Sequence, residues 1–173
     1  DVLVMTAENA ATASGSAAFN TAVTNFEKLS LAEVAADSAT ANATVTVNLA
    51  NLTYDYVVSA GSADSTAGSD LDTLALTGAA EGVTLEVTAA GNFSLALADA
   101  TGASDSANVV VNVADNGNAA TAATGVAVGT VNADAIETIN LTSSTADANG
   151  SSDSTITLDA DAATTVNVAG ANG

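Results

Sequence analysis

Short stretches in which apolar and polar residues alternate recur along the whole chain, and they limit what it can fold into more than any other feature. Clear examples are "TVTVN" and "TITLD". Alternation with a period of two places the apolar side chains on one face of a β-strand. The strands predicted in this way lie between turns rich in Gly, Asn, Asp and Ser, and they are 2–6, 27–32, 44–50, 54–59, 72–77, 83–88, 92–98, 108–113, 125–131, 136–142, 154–159 and 164–169.

One stretch, "SAAFNTAVTNF", has helical spacing instead. Phe19, Val23 and Phe26 follow one another at i, i+4 and i+7, and Ser16 precedes them as an N-cap. The sequence therefore predicts one short helix in an otherwise all-β chain.

The apolar residues are small, and this limits the type of core. Hydrophobic residues make up 48% of the chain but aromatic residues only 3%, with no Trp. A core of Ala and Val is thin, because the backbones on its two sides must lie close together. Two all-β architectures fit, a parallel β-helix and tandem Ig-like β-sandwiches. The lack of a large aromatic cluster favours the β-helix.

The sequence also repeats itself. "DVLVMTAENAATA" aligns with "NVVVNVADNGNAATA", "FEKLSL" with "IETINL", "ATVTVNLA" with "DSTITLDA" and "YVVSAG" with "VNVAGA", in the same order. Such self-similarity is typical of stacked architectures. We predict that residues 1–173 are one elongated β segment of a larger protein, with copies at 1–61 and 108–171 and an intervening part at 62–107.

The charge of the chain excludes several partners. The chain has 20 acidic residues and one basic residue, which gives a formal net charge of -19. A surface of this kind repels phosphate, so we expect neither nucleic acid nor anionic membrane as a partner. No apolar run reaches the roughly 20 residues of a membrane span, so we expect no membrane insertion. Carboxylates at this density destabilise a compact state unless cations neutralise them, which points to divalent ions.

Catalytic chemistry has few candidate residues. The chain contains no His and no Cys, so the ordinary pairs of nucleophile and base are missing. We therefore predict that the protein is not an enzyme.

The Asp-rich turns are the better candidates for a site. Calcium binds six to eight oxygen atoms, and Asp, Asn and backbone carbonyls in tight turns supply them. The alternative is that these residues only form turns. The predicted calcium ligands are Asp64, Asp70, Asp72, Asp99, Asp105, Asp115, Asp147, Asp153, Asp159 and Asp161.

Several stretches together resemble a known family. "DVLVMTAENAATA", "VTNFEKLSLA", "SDLDTLALTG", "ADAIETINLTS" and "STITLDADAATTVNVAG" are similar to the long repeats of bacterial surface-layer (S-layer) proteins of the Caulobacter type. These proteins are related to the RTX group of type I secreted proteins. The resemblance implies a right-handed parallel β-helix, secretion to the cell surface, calcium-dependent assembly with copies of itself and no catalysis. Contact with cell-surface polysaccharide would involve other parts of the polypeptide. An adhesin or stalk module of a secreted RTX-like protein is the alternative function.

The echoed block "FEKLSL" and "IETINL" then has a structural interpretation. We expect Phe26, Leu29 and Leu31, and likewise Ile136, Ile139 and Leu141, to face the core. Lys28 would lie on the surface beside Glu27 and Glu33, where an ion pair contributes at most a fraction of a kcal/mol.

Overall fold

The fold consists of strands joined by turns, with three short helices among the described residues. The computed structural model describes residues 1–34, 43–62, 72–113, 127–144 and 155–170. The strands are β1 (Val2–Met5), β2 (Lys28–Leu31), β3 (Thr44–Asn48), β4 (Tyr56–Ser59), β5 (Thr73–Ala79), β6 (Thr84–Val87), β7 (Asn92–Leu97), β8 (Ser106–Val111), β9 (Ala127–Asn132), β10 (Thr138–Ser143), β11 (Thr155–Asp159) and β12 (Thr165–Gly170). The helices are α1 (Ala7–Ser14), α2 (Ala17–Ala22) and α3 (Leu49–Leu52).

These strands form two parallel sheets. Seven strands lie in the order β1-β2-β4-β6-β8-β10-β12, and five lie in the order β11-β9-β7-β5-β3. Strands β1 and β2 both belong to the seven-stranded sheet, and from β3 onward each described strand belongs to the other sheet from the strand before it. Every described strand pair is parallel. The Ig-like alternative is therefore wrong, because Ig-like sandwiches are built from antiparallel sheets. The prediction of an all-β fold with parallel strands is confirmed.

The inward side chains of both sheets form one hydrophobic cluster. In the seven-stranded sheet, the strand register aligns Leu29 with Val57, Val57 with Leu85 and Leu85 with Val109. All four side chains are fully buried. The largest fully buried side chain is Phe93 of the five-stranded sheet. The core is thus made mostly of Leu, Val and Ala, as their abundance in the sequence predicts.

Helix α1 lies against β3, at one end of the five-stranded sheet. Its buried residues are Ala7, Ala10, Ala13 and Ser14, and such small side chains allow a helix to pack closely. The Thr6 hydroxyl accepts a hydrogen bond from the Asn9 backbone N–H at 3.1 Å, which satisfies one of the free donors at the helix start. A helix therefore covers the edge that β3 would otherwise expose.

The observed elements agree with the predicted strands and differ at the helices. Each predicted strand overlaps an observed one. Ser16 caps α2 as predicted, by accepting a hydrogen bond from the Phe19 N–H at 3.3 Å. The helix ends at Ala22, however, so Val23 and Phe26 do not continue its face. The sequence pattern predicted neither α1 nor α3.

The echoed block also has one misplaced residue. Leu29, Leu31, Ile136 and Ile139 are buried as expected, and Leu141 is partly buried against the core. Phe26, by contrast, is 37% exposed, so its predicted place in the core is wrong. It lies in the turn after α2, where the chain has not yet entered β2.

The blocks of the predicted repeat lie on corresponding strands. The first block covers β1 and β8, the second β2 and β10, the third β3 and β11, and the fourth β4 and β12. Members of the third pair belong to the five-stranded sheet, and members of the other pairs belong to the seven-stranded sheet. The superposition of 1–61 on 108–171 stays a prediction.

Candidate cation site

In the part of the chain that the structure describes, seven acidic residues lie in the connections that lead from the five-stranded sheet to the seven-stranded sheet. The strands themselves carry only three charged residues in the described part of the chain, Lys28, Glu86 and Asp159. We call the acidic residues of these connections the acidic edge; they are Asp55, Glu81, Asp99, Asp105, Asp134, Glu137 and Asp161.

Parallel pairing explains why these residues share an edge. The carboxyl ends of the parallel strands of one sheet all lie at the same side of that sheet. Backbone hydrogen bonds then link successive turns: Thr84 N–H donates to the Asp55 carbonyl at 2.8 Å and Thr138 N–H to the Asp105 carbonyl at 3.0 Å. Carboxylates that are distant in sequence therefore lie side by side in space.

Three carboxylates come closest together at the ends of β9 and β11. One carboxylate oxygen from each of Asp134, Asp159 and Asp161 lies within 4.8 Å of the others. All three side chains are exposed. In the residues that the structure describes, this is the one group of at least three such side chains with this spacing.

Two stacked turns hold this cluster. The register of β9 and β11 pairs Asn132 with Asp159, so "NAD" at 132–134 lies beside "DAD" at 159–161. Ala133 N–H donates to the Asp159 carbonyl at 2.7 Å, and Ala162 N–H donates to the Asp134 carbonyl at 3.0 Å. Asn132 Nδ2 donates to Asp134 Oδ2 at 2.8 Å and reaches Asp159 Oδ2 at 3.5 Å. The amide thus orients two of the three carboxylates.

The cluster offers carboxylate oxygens, which are ligands that divalent cations accept. Carboxylates with exposed faces leave room for water, and calcium accepts an irregular shell of carboxylate, carbonyl and water oxygens. No basic side chain of this protein competes for the cluster, because the single one, Lys28, lies on β2. The group could therefore hold a divalent cation at the surface.

The sequence predicted two members of this cluster, Asp159 and Asp161, and missed Asp134. The signal that it missed is the recurrence of the pattern Asn/Asp-Ala-Asp-Ala after two successive strands of the same sheet. Five other predicted ligands lie outside the described residues, so their prediction stays open. They are Asp64, Asp70, Asp115, Asp147 and Asp153.

The remaining predicted ligands are separate from the cluster. Asp99 is exposed, and its Oδ1 accepts hydrogen bonds from the Thr101 hydroxyl at 2.7 Å and the Thr101 N–H at 3.1 Å. These bonds hold the pKa of Asp99 below its usual value. Asp72 is only 2% exposed, and its Oδ1 accepts from the Ala43 N–H at 2.8 Å. Asp105 is also buried. Each of these buried residues has one carboxylate oxygen for which the described part of the chain offers no hydrogen-bond partner.

Lys28 belongs to a different group of polar residues, on the outer face of the seven-stranded sheet. Its Nζ lies 3.7 Å from the centroid of the Tyr56 ring, in a cation–π contact. The Tyr56 hydroxyl donates to Glu86 Oε2 at 2.7 Å, and Asn112 Nδ2 donates to Glu86 Oε1 at 2.6 Å. Lys28 is half-buried, and the contacts that the structure gives it are with Tyr56 and the charge of Glu86.

These contacts shift two pKa values in opposite directions. The hydrogen bond from Asn112, followed by that from Tyr56 and by the charge of Lys28, lowers the pKa of Glu86 against the opposing effect of burial. Burial, the hydrogen bond to Glu86 and the negative charge of Glu86 raise the pKa of Tyr56 to about 12. The tyrosine therefore stays a donor and the glutamate an acceptor across the physiological pH range.

A second polar ladder crosses three strands of the same face. Asn167 Nδ2 donates to Asn140 Oδ1 at 2.9 Å, and Asn140 Nδ2 donates to Asn108 Oδ1 at 3.0 Å. Asn108 Nδ2 in turn donates to the Gly82 carbonyl at 2.8 Å. The register of β8, β10 and β12 places the three asparagines directly side by side.

Comparison with known proteins identified no relative: no protein-family model matches the chain, and neither a curated protein nor a solved structure does. Among the residues that the structure describes, none of the helices has the length and the apolar character needed to cross a membrane.

Proposed function

We propose that the chain is a structural segment of an extracellular surface-layer lattice that assembles from copies of itself and is stabilised by calcium. The observation that carries the proposal is the distribution of charge over two parallel sheets. The outward positions of the strands are mostly Thr, Ser, Asn and small apolar residues, whereas carboxylates line the connections. Such a molecule offers faces with few charged residues for packing and an acidic edge for cations.

The finer architecture that we propose is a right-handed parallel β-helix. A chain that alternates between two parallel sheets adds one strand to each sheet in every coil. Each coil then contacts only its neighbours, which is the arrangement of solenoid proteins. The seven- and five-stranded sheets, with their single hydrophobic cluster, support this architecture.

Calcium is the proposed ion at the cluster of Asp134, Asp159 and Asp161. Extracellular calcium modules bind with dissociation constants of roughly 10⁻⁴ to 10⁻³ M. A ligand present at ten times its dissociation constant stabilises the folded state by about 1.4 kcal/mol. For a chain of this size, that corresponds to an increase in Tm of about 3–6 °C. Monovalent salt at the same ionic strength screens charge but does not fill a site.

The test of the calcium site compares thermal unfolding in calcium chloride with that in sodium chloride at equal ionic strength. Asp161→Asn should lose the extra stabilisation by calcium, because it removes one carboxylate of the cluster. Asp55→Asn is the matched control, since Asp55 is an exposed carboxylate of the acidic edge that lies outside the cluster. Equal Tm values in the two salts for the unmodified protein would contradict a specific site.

The lattice itself is tested by electron microscopy of the native cell surface, with antibodies against this chain to locate it. We expect a labelled, ordered two-dimensional array that disperses when a chelator removes calcium. Labelled isolated fibres would instead establish the alternative, an adhesin or stalk module. The same fold would serve both functions, so the arrangement on the cell surface decides between them. In both cases we propose a secreted protein without catalytic activity.

A further inference from the structure

The carboxylate of Asp105 is buried, although nothing in the protein neutralises it. Asp105 is 9% exposed and directly precedes β8. Its Oδ2 atom has no hydrogen-bond partner among the residues that the structure describes. Buried polar groups are nearly always hydrogen-bonded, and a buried charge without a partner is strongly unfavourable. The position therefore calls for a ligand that compensates the charge.

A second carboxylate lies beside it. Glu137 Oε2 accepts a hydrogen bond from the Asp105 backbone N–H at 3.0 Å. The adjoining turn is fixed as well, because Thr138 N–H donates to the Asp105 carbonyl at 3.0 Å. The side chain of Glu137 is therefore held next to the residue whose own carboxylate lacks a partner, and both carry negative charge.

The backbone of Gly102 lies closely against the Asp105 carboxylate. A Cβ atom at residue 102 would lie 2.7 Å from Asp105 Oδ1 and 3.2 Å from Oδ2. Residues 101–104 around it are exposed, so solvent ions can reach the turn. Gly102 does not have the left-handed backbone that would require a glycine, so a larger residue is opposed here by its close approach to the carboxylate, which would have to move.

The protein cannot supply the compensating charge itself. Its only basic side chain is Lys28, which lies over the Tyr56 ring on another part of the sheet. Strand β2 is three strands away from β8, roughly 14 Å at the usual spacing between strands. The positive charge must therefore come from solution.

From these observations we infer that Asp105 and Glu137 bind a divalent cation of the calcium class, with Oδ2 of Asp105 as the buried ligand. Water and backbone carbonyls would complete the shell, which calcium tolerates better than magnesium does. This site uses none of the three carboxylates of the exposed cluster. The inference deepens the calcium part of the proposed function and rests on it for the choice of ion.

The experiment counts bound calcium per chain by equilibrium dialysis in the purified protein. We expect Asp105→Asn to bind one calcium ion fewer than the unmodified protein, and Asp55→Asn to bind the same number. Thermal unfolding gives an independent readout. In chelator, Asp105→Asn should unfold at a higher temperature than the unmodified protein, because the amide carries no charge that needs compensation.

A second variant keeps the inference open to refutation if Asp105→Asn does not fold. Gly102→Ala retains both carboxylates, but its methyl group would lie 2.7 Å from Asp105 Oδ1 and displace that carboxylate, so this variant too should bind one ion fewer. Unchanged stoichiometry in the folded variants overturns the inference, as does an unmodified protein that binds no calcium.

Asp161→Asn separates this inference from the calcium site of the proposed function. If Asp161→Asn retains every bound ion while Asp105→Asn loses one, the exposed cluster is wrong and the buried site stands. If Asp161→Asn loses one ion while Asp105→Asn retains every ion, the exposed cluster is supported and the inference of a buried site is wrong.

Discussion

Replacement of Asn140 by alanine tests whether the asparagine ladder stabilises the stacked strands. Asn140 is the central member, because it donates to Asn108 and accepts from Asn167. Asn140→Ala removes both hydrogen bonds, and each contributes about 0.5–1.5 kcal/mol to stability. Asn108 and Asn140 are half-buried and Asn167 is exposed, so water partly replaces the lost partners. We therefore expect the free energy of unfolding to fall by about 1–2 kcal/mol.

Urea denaturation measures this change. For small proteins the dependence of the unfolding free energy on urea is about 1–3 kcal/mol per molar, so the midpoint should fall by roughly 0.3–2 M. Thr142→Ala is the matched control, because Thr142 is exposed on the same strand and outside the ladder. Such surface replacements usually change stability by about 0.5 kcal/mol or less. If the two variants unfold at the same urea concentration, the ladder contributes nothing and the reasoning is refuted.

Asn140→Asp separates the two hydrogen bonds of the ladder. The carboxylate can still accept from Asn167, but it cannot donate to Asn108, and it places an acceptor against the Asn108 Oδ1 acceptor. We compare the stability of this variant with that of the unmodified protein at the same pH. The loss of stability should be larger at pH 7 than at pH 3, because protonation of the carboxylate at low pH restores a hydrogen-bond donor. Equal effects at the two pH values would show that the bond to Asn108 does not contribute.

Two further predictions concern the seven-stranded sheet. Leu85→Ala should lower the free energy of unfolding by about 2–5 kcal/mol in urea denaturation, because Leu85 is fully buried and its removal leaves a cavity. The control is Val58→Ala on the outer face. If the two variants lose the same stability, the predicted packing of Leu85 in the core is contradicted. The pKa of Glu86 is lower in the folded protein than its usual value of 4.5. The interactions of the ionised Glu86 therefore stabilise the fold fully above pH 4.5. This stabilisation is lost as the pH falls through the lower pKa of the folded state. Glu86→Gln should therefore flatten the acid limb of a plot of Tm against pH, and an unchanged limb would show that the bonds from Tyr56 and Asn112 do not affect folding.

The sequence by itself determined the strands and the composition of the core. Alternation with a period of two is a local property, so "TVTVN" and "TITLD" predict β3 and β11 without any knowledge of their partners. The cap of α2 at Ser16 is equally local, since it spans three residues. Helix α1 escaped prediction because its buried face consists of Ala7, Ala10 and Ala13, which give almost no contrast with the other face.

Only the tertiary structure decided which residues meet. Parallel pairing joins strands that are separated by a strand of the other sheet, so its register depends on contacts between residues far apart in the chain. That register brings Asp134 beside Asp159 and Asp161, buries Asp105 against Glu137, and aligns the asparagine ladder. The sequence shows that carboxylates are abundant in the turns. Their burial and the distances between them depend on how the turns stack on one another, and the sequence of a single turn does not determine that.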